Sequence, residues 1–218
     1  MAEDTAAWYY DRVTEMEVAE SYRYVMPFLE GGAKRVLDLG CGVGYYLKRF
    51  SQASVGVDAS LPSVDICNER GLNARFGDLN KPLEFGPNEF DVVFCSHILE
   101  HVDSPLNLLR ESHRVLKKDG LIIVAVPNEA SLPNALALDK YWQSHPEHTY
   151  SFSVTNLKIL LLKAHFEPLE IYVNPYLIGK ILSLIRFKQN FIMSLIQRLP
   201  TRITLQISSA YMMLAQKT

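Results

Sequence analysis

Three aspartates and a run of glycines are the residues of this sequence best suited to hold a small polar ligand. The run Val36-Leu-Asp-Leu-Gly-Cys-Gly-Val-Gly-Tyr-Tyr46 presents Asp38, then Gly40, Cys41, Gly42 and Gly44. Glycines spaced G-x-G-x-G let a backbone turn tightly beneath a ligand. A nicotinamide-dinucleotide fingerprint would read G-x-G-x-x-G, and Tyr45 stands where its third glycine should be. The acid two residues ahead of the first glycine also repels a pyrophosphate, whereas it suits a ligand with a positively charged amino-acid end. Asp58 closes an apolar run, where a carboxylate can accept both hydroxyls of a ribose. Asp78, in Phe76-Gly-Asp-Leu79, can accept from the exocyclic amine of an adenine. Each acid alone reads as a solvated turn residue; with the glycine bend the three make a site.

The histidines offer proton chemistry. His97-Ile-Leu-Glu-His101 has the H-x-x-E-H spacing of an inverted zinc-protease motif. That mechanism needs a helix and a further acidic ligand, yet His97 follows directly on the apolar run Phe90 to Ser96. The expectation is therefore no metal. The stretch Asp139-Lys-Tyr-Trp-Gln-Ser-His-Pro-Glu-His-Thr-Tyr150 supplies His145 and His148, with Trp142 and Tyr150 as walls. A histidine near its ordinary pKa can take a proton from a hydroxyl, which makes His148, and after it His145, the candidate bases.

These residues must be positioned by something, and apolar runs alternating with helix-like segments predict a parallel sheet with helices on both faces. Strands are expected at Arg35 to Leu39, Ser54 to Asp58, Asn73 to Phe76, Phe90 to Ser96 and Leu121 to Val126, and later at Phe166 to Val173 and Ile207 to Leu214. Helices are expected at Glu15 to Leu29, Leu61 to Arg70 and Leu106 to Leu116, the last with Ser104 as N-cap and Pro105 at its first position. Lys117 to Gly120 reads as a turn. Ser153 or Thr155 should cap a helix reaching Lys163. The three acids fall at strand carboxyl ends, where open α/β sheets bind ligands.

The 218 residues suit one domain, with residues 1–30 as a helical cap and 174–205 as a helical lid or insertion. A 48% hydrophobic and 21% charged composition is that of a globular chain. Three scattered cysteines make neither a disulfide framework nor a zinc knuckle. With no basic, apolar leader, the expected compartment is the cytoplasm. The net charge of −2 conceals an asymmetry: no acid follows Glu170, while Lys180, Arg186, Lys188, Arg198, Arg202 and Lys217 all do, leaving 16 bases against all 24 acids before them. An acidic body does not favour nucleic acid. The apolar, basic segment Tyr176 to Leu199 reads as a lid over the pocket, as a homodimer face, or as an interfacial helix meeting a membrane or lipid-linked acceptor.

The glycine bend, Val55-Gly-Val-Asp-Ala-Ser60, Phe90-Asp-Val-Val-Phe-Cys-Ser-His-Ile-Leu-Glu-His-Val102 and Leu116-Lys-Lys-Asp-Gly-Leu-Ile-Ile-Val-Ala-Val-Pro-Asn128 together resemble the class I S-adenosylmethionine-dependent methyltransferases. The resemblance covers about residues 13–172. It implies a Rossmann-like, doubly wound, mostly parallel seven-stranded sheet whose last strand is antiparallel. It implies S-adenosyl-L-methionine as cofactor, with Asp38, Gly40, Cys41, Gly42 and Gly44 around the methionine moiety and Asp58 and Ala59 at the ribose. Asp78 and Leu79 would face the adenine, and Ser96 and His97 the methionine end. Arg23 would pair with the cofactor's carboxylate, and Tyr10 would close over it. His165 stands where the family usually has glycine. The expected activity is methylation of a small-molecule acceptor at oxygen, such as a sugar or lipid-linked glycan. A cofactor-binding module without catalysis is the alternative.

Overall fold

The computed structural model describes residues 34–128, 148–174 and 210–218. Its sheet contains β1 (Val36–Leu39), β2 (Val55–Asp58), β3 (Ala74–Phe76), β4 (Phe90–Ser96), β5 (Leu116–Pro127), β6 (Phe166–Asn174) and β7 (Ala210–Lys217), in the spatial order β3-β2-β1-β4-β5-β7-β6. The first five are parallel, and β7 runs antiparallel to both β5 and β6. The order reverses direction beside β1, and that switch point opens a crevice at the strands' carboxyl ends.

The strands are apolar at successive positions because both sheet faces are covered. Leu37, Leu39, Val93, Cys95, Ile122, Val124, Tyr211 and Met213 enter one buried cluster, while their alternating neighbours Val36, Val92, Phe94, Ile123, Met212 and Leu214 enter the other. Helix α1 (Leu61–Glu69) covers the second cluster through Val64 and Cys67. Helices α2 (Pro105–Val115) and α3 (Val154–Lys163) cover the first, through Leu108, Leu109, Val115, Leu157 and Leu161. Ser60 caps α1 by accepting from Ser63 N, and Ser153 caps α3 by accepting from Asn156 N.

Most expected elements lie within a few residues of the observed ones, and β4 matches in full. Three details differ. Ser104 precedes α2, but its side chain makes no capping hydrogen bond. The Lys117 to Gly120 segment belongs to β5: Leu116 already pairs with Phe90, and a bulge, with Asp119 at φ 61°, absorbs the polar residues before Leu121 pairs with Val92. The last strand is also shifted, since Gln216 and Lys217 still pair with Glu167 and Phe166. The expected helices at Glu15 to Leu29 and Tyr176 to Leu199, and with them the cap, the lid and the dimer face, lie outside the described residues.

His165 occupies the turn between α3 and β6 at φ 64°, a left-handed conformation that glycine adopts without cost. The turn the family makes with glycine is thus made here by histidine. It is tied by His165 N donating to Leu162 O, and by His165 O accepting from Thr218 N and Oγ1.

Candidate functional site

The glycine bend is built by β1 running into the core and stopping. Leu39 is fully buried, and Gly40, Gly42 and Gly44 then take φ of 71°, 53° and 81°. At Gly40 a methyl group would collide with the Ile98 side chain, so the bend must be made without a Cβ. The amides of Gly40 and Cys41 both donate to Val57 O, at 2.8 and 3.1 Å, which fastens the bend to β2. Cys41 is itself buried; its hydrogen bond with the Cys67 thiol, then burial, push its own thiol pKa up, so it is a packing residue in this bend rather than a nucleophile.

Asp38 and Asp58 flank the bend in different states. Asp38 is 1% exposed, and its Oδ2 has no hydrogen-bond partner. Burial, and then the nearby Asp58 charge, raise its pKa well above the usual carboxylate value. A buried carboxylate with an unmet oxygen is costly alone and is offset when a cation arrives. Asp58 is better satisfied: Oδ2 accepts from Gly42 N and Oδ1 from Ser60 N, each at 2.8 Å. Each oxygen keeps a further lone pair for a ligand hydroxyl, so Asp58 can tether the bend and face a ribose together. Ala59 beside it is exposed.

Asp78 lies beyond β3 on the surface, where Oδ1 accepts from Asn80 N and Oδ2 stands 3.3 Å from Lys81 Nζ. The Asn80 amide first, and then Lys81, lower its pKa. The Leu79 side chain is buried in the core, so what it can offer an adenine is its main chain. Ser96 ends β4, and His97 follows in the left-handed region at φ 56°, its amide donating to Ala125 O. This turn swings the chain over the bend, which is why Ile98 reaches Gly40. Tyr10, Arg23 and His145 lie outside the described residues.

His148 is brought to the same region from a distance in sequence. Thr149 N donates to Glu100 O at 2.8 Å, and Tyr150 Oη donates to Asp103 O, also at 2.8 Å. The His148 ring thereby meets the His101 ring edge to face, centroids 4.8 Å apart. Glu100 and His101 were not among the expected site residues; the H-x-x-E-H spacing was their only signal in the sequence.

The chain matches the family model described as "Methyltransferase domain" over residues 11–171. A ubiquinone biosynthesis O-methyltransferase from Pseudomonas aeruginosa is 30% identical over 131 residues, covering 55% of this chain and 56% of its own. The chain spans about half the length of the first curated relatives it matches. In structure, a SAM-dependent methyltransferase from Archaeoglobus fulgidus superposes with a TM-score of 0.69 at 23% identity, over 94% of this chain and 96% of the other. A putative methyltransferase from Haloferax volcanii, solved in complex with the Trm112 methyltransferase activator, superposes at 0.73 and 18% identity, over 97% and 95%. At these identities the superpositions speak for the fold alone.

The residues fit the cofactor of that family. Asp38 Oδ2 is a buried carboxyl oxygen without a partner beside the bend, which a methionine ammonium would satisfy; Asp58 suits ribose hydroxyls; and the glycines leave room for a ligand against bare backbone. Sheet order, antiparallel β7, the flanked glycine bend and the matching family model agree, and the chain belongs to the methyltransferase domain family, with the fold of class I S-adenosylmethionine-dependent methyltransferases.

Proposed function

We propose that this chain binds S-adenosyl-L-methionine and methylates a small-molecule acceptor at oxygen, a sugar or lipid-linked glycan being the acceptor class the sequence suggests. The observation that carries this reading is Asp38: a buried carboxylate with an unmet oxygen beside a glycine bend, opposite a second carboxylate that is already tied down. Bound S-adenosylmethionine supplies a methyl group on a sulfonium leaving group, so alignment of the acceptor supplies much of the rate. Asp38 and the bend fix the amino-acid end, and Asp58 the ribose; Asp78, with the main chain at Leu79, meets the adenine. Arg23 and Tyr10 close over the cofactor.

An oxygen acceptor must also lose a proton. His97, Glu100 and His101, which follow the strand next to the bend, and His148, which packs against His101, support hydroxyl over amine acceptors, with His148 as the first and His145 as the second candidate proton acceptor. A relative named for O-methylation supports the same choice. The apolar, basic segment near the carboxyl terminus serves as roof to the acceptor pocket and, for a lipid-linked acceptor, as its contact with an anionic surface. No helix among the described residues is long and apolar enough to cross a membrane. The three described cysteines are free thiols, which suits the reducing cytoplasm.

Two assays test the reading. Isothermal titration with the demethylated cofactor should show binding at one site per chain, and release of demethylated cofactor should depend on a hydroxyl-bearing acceptor. Binding with no turnover on any acceptor would instead identify a cofactor-binding module, and absence of binding would remove the cofactor.

A further inference from the structure

Glu100 is 0% exposed, yet neither of its carboxylate oxygens receives a hydrogen bond. His97 Nδ1 stands 3.3 Å from Oε1, an ion-pair separation without hydrogen-bond geometry. Also close to Glu100 are His101, exposed, and His148, half-buried, and one ligand atom from each of Glu100, His101 and His148 lies within 4.8 Å of the others. A buried anion left without donors, facing two imidazoles, is an incomplete arrangement for hydrogen bonding and a nearly complete one for a cation.

We infer that Glu100, His101 and His148 form a binding site for a divalent first-row transition metal ion, which deepens the proposed O-methylation and rests on it for its catalytic meaning. Two imidazoles and one carboxylate are the donor set of zinc, manganese, iron and cobalt sites, and three protein ligands leave positions open for an exogenous oxygen. Ligands about 2.1 Å from a shared ion are separated by roughly 3.0–3.4 Å. The present atoms lie within 4.8 Å of one another, so binding would draw them together by about 1.5 Å, an adjustment that the exposed His101 side chain can supply while the backbone bond from Thr149 to Glu100 keeps the His148 segment beside Glu100. The reservation against the H-x-x-E-H spacing was that it lacks a helix and a further acidic ligand. The helix is absent and no further acid joins the group, so the zinc-protease mechanism does not apply; the third ligand is an imidazole, His148, supplied by a distant segment rather than by the motif. His97 then stands beside the metal-bound carboxylate as an outer partner.

At such a site the acceptor hydroxyl occupies an open position, where the ion lowers its pKa. Its proton leaves to solvent, its oxygen forms the new bond to the methyl carbon, and the carbon–sulfur bond breaks with its electron pair staying on sulfur. His148 is a ligand in this scheme, and the ion takes over the task first assigned to that residue as a base.

The test uses the whole chain after dialysis against a chelator. Titration with Co(II) alone, followed by calorimetry and visible absorption, should show one ion per chain. His101→Gln alters an exposed side chain and should leave the thermal melt unchanged while weakening Co(II) by more than the roughly 10–100-fold that loss of an outer partner costs. His148→Gln should do likewise. No binding at millimolar Co(II), or equal affinity in wild type and His101→Gln, overturns the site. Titrating the same samples with demethylated cofactor separates the two readings. Cofactor binding without Co(II) binding refutes the metal site alone, and Co(II) binding without cofactor refutes the methyltransferase reading alone.

Discussion

Asp58→Ala is the most informative single change, because that carboxylate is expected to do two separable things. It removes two charge-assisted hydrogen bonds of 2.8 Å, from Gly42 N and Ser60 N. Such a bond contributes about 1.5–3 kcal/mol when intact, but water can reach this half-buried position, so about 1–1.5 kcal/mol each is the expected loss. The protein should lose about 2–3 kcal/mol of stability, which at this chain length lowers Tm by about 4–12 °C. The cofactor should separately lose its ribose partner, about 1–3 kcal/mol. That is a rise in Kd of about 5- to 150-fold. Calorimetric titration with demethylated cofactor, at a temperature where circular dichroism shows the variant folded, reads the second effect without the first. If Tm falls but Kd stays within twofold, Asp58 is a tether of the bend and no ribose ligand. If neither changes, the hydrogen bonds described above do not hold the bend, and the reasoning fails at its base.

Other changes probe different parts of the argument. Asp38→Asn should raise the Tm of the cofactor-free protein, since burial and the Asp58 charge make the Asp38 carboxylate costly, and it should weaken cofactor binding at least tenfold, about 1.4 kcal/mol. Because the folded-state pKa of Asp38 is raised, the Tm gap between wild type and variant should narrow as pH falls through that pKa; a gap that widens in acid would contradict the assignment. His165→Gly should stabilise by about 1 kcal/mol, by relieving the left-handed strain at φ 64°, and calorimetric melting would expose the reverse if the His113–His165 ring contact matters more. Neutralising Lys180, Arg186 and Lys188 together should reduce binding to anionic vesicles by about 3 kcal/mol if the segment meets a surface, and wild-type protein that ignores such vesicles would leave the roof as its role.

What could be read from residue order was what local physics decides. The glycine bend was legible because few other residues make it, and β4 because Phe90 to Ser96 is an apolar run with sharp ends. The acids were legible because each lies at or near the carboxyl end of an apolar run: Asp38 one residue before the end of β1, Asp58 as the last residue of β2, and Asp78 two residues beyond β3. Pairing over distance was not. Lys117 to Gly120 is as polar as a turn, and only the partner strand β4 makes it part of β5. The end of β7 was placed too early because Gln216 and Lys217 are polar, and only pairing with neighbouring strands extends it, Gln216 with Leu121 and Glu167 and Lys217 with Phe166. The approach of His148 to Glu100 rests on hydrogen bonds between segments far apart in the chain, from the Thr149 and Tyr150 amides to Glu100 O and from Tyr150 Oη to Asp103 O. Nothing in the composition of either segment announces it.

The position of β7 bears on how the molecule is made. The last described strand to leave the ribosome fills the gap between β5 and β6, and carries Tyr211, Met213 and Ala215, each fully buried. Until it arrives, β5 has an unpaired edge running along an apolar strand, the kind of surface on which nascent chains stick to one another. Synthesis that stops short of Ala210 should therefore yield inclusion bodies rather than a weakened enzyme, and chaperones holding the nascent polypeptide should let go only after this keystone has been inserted.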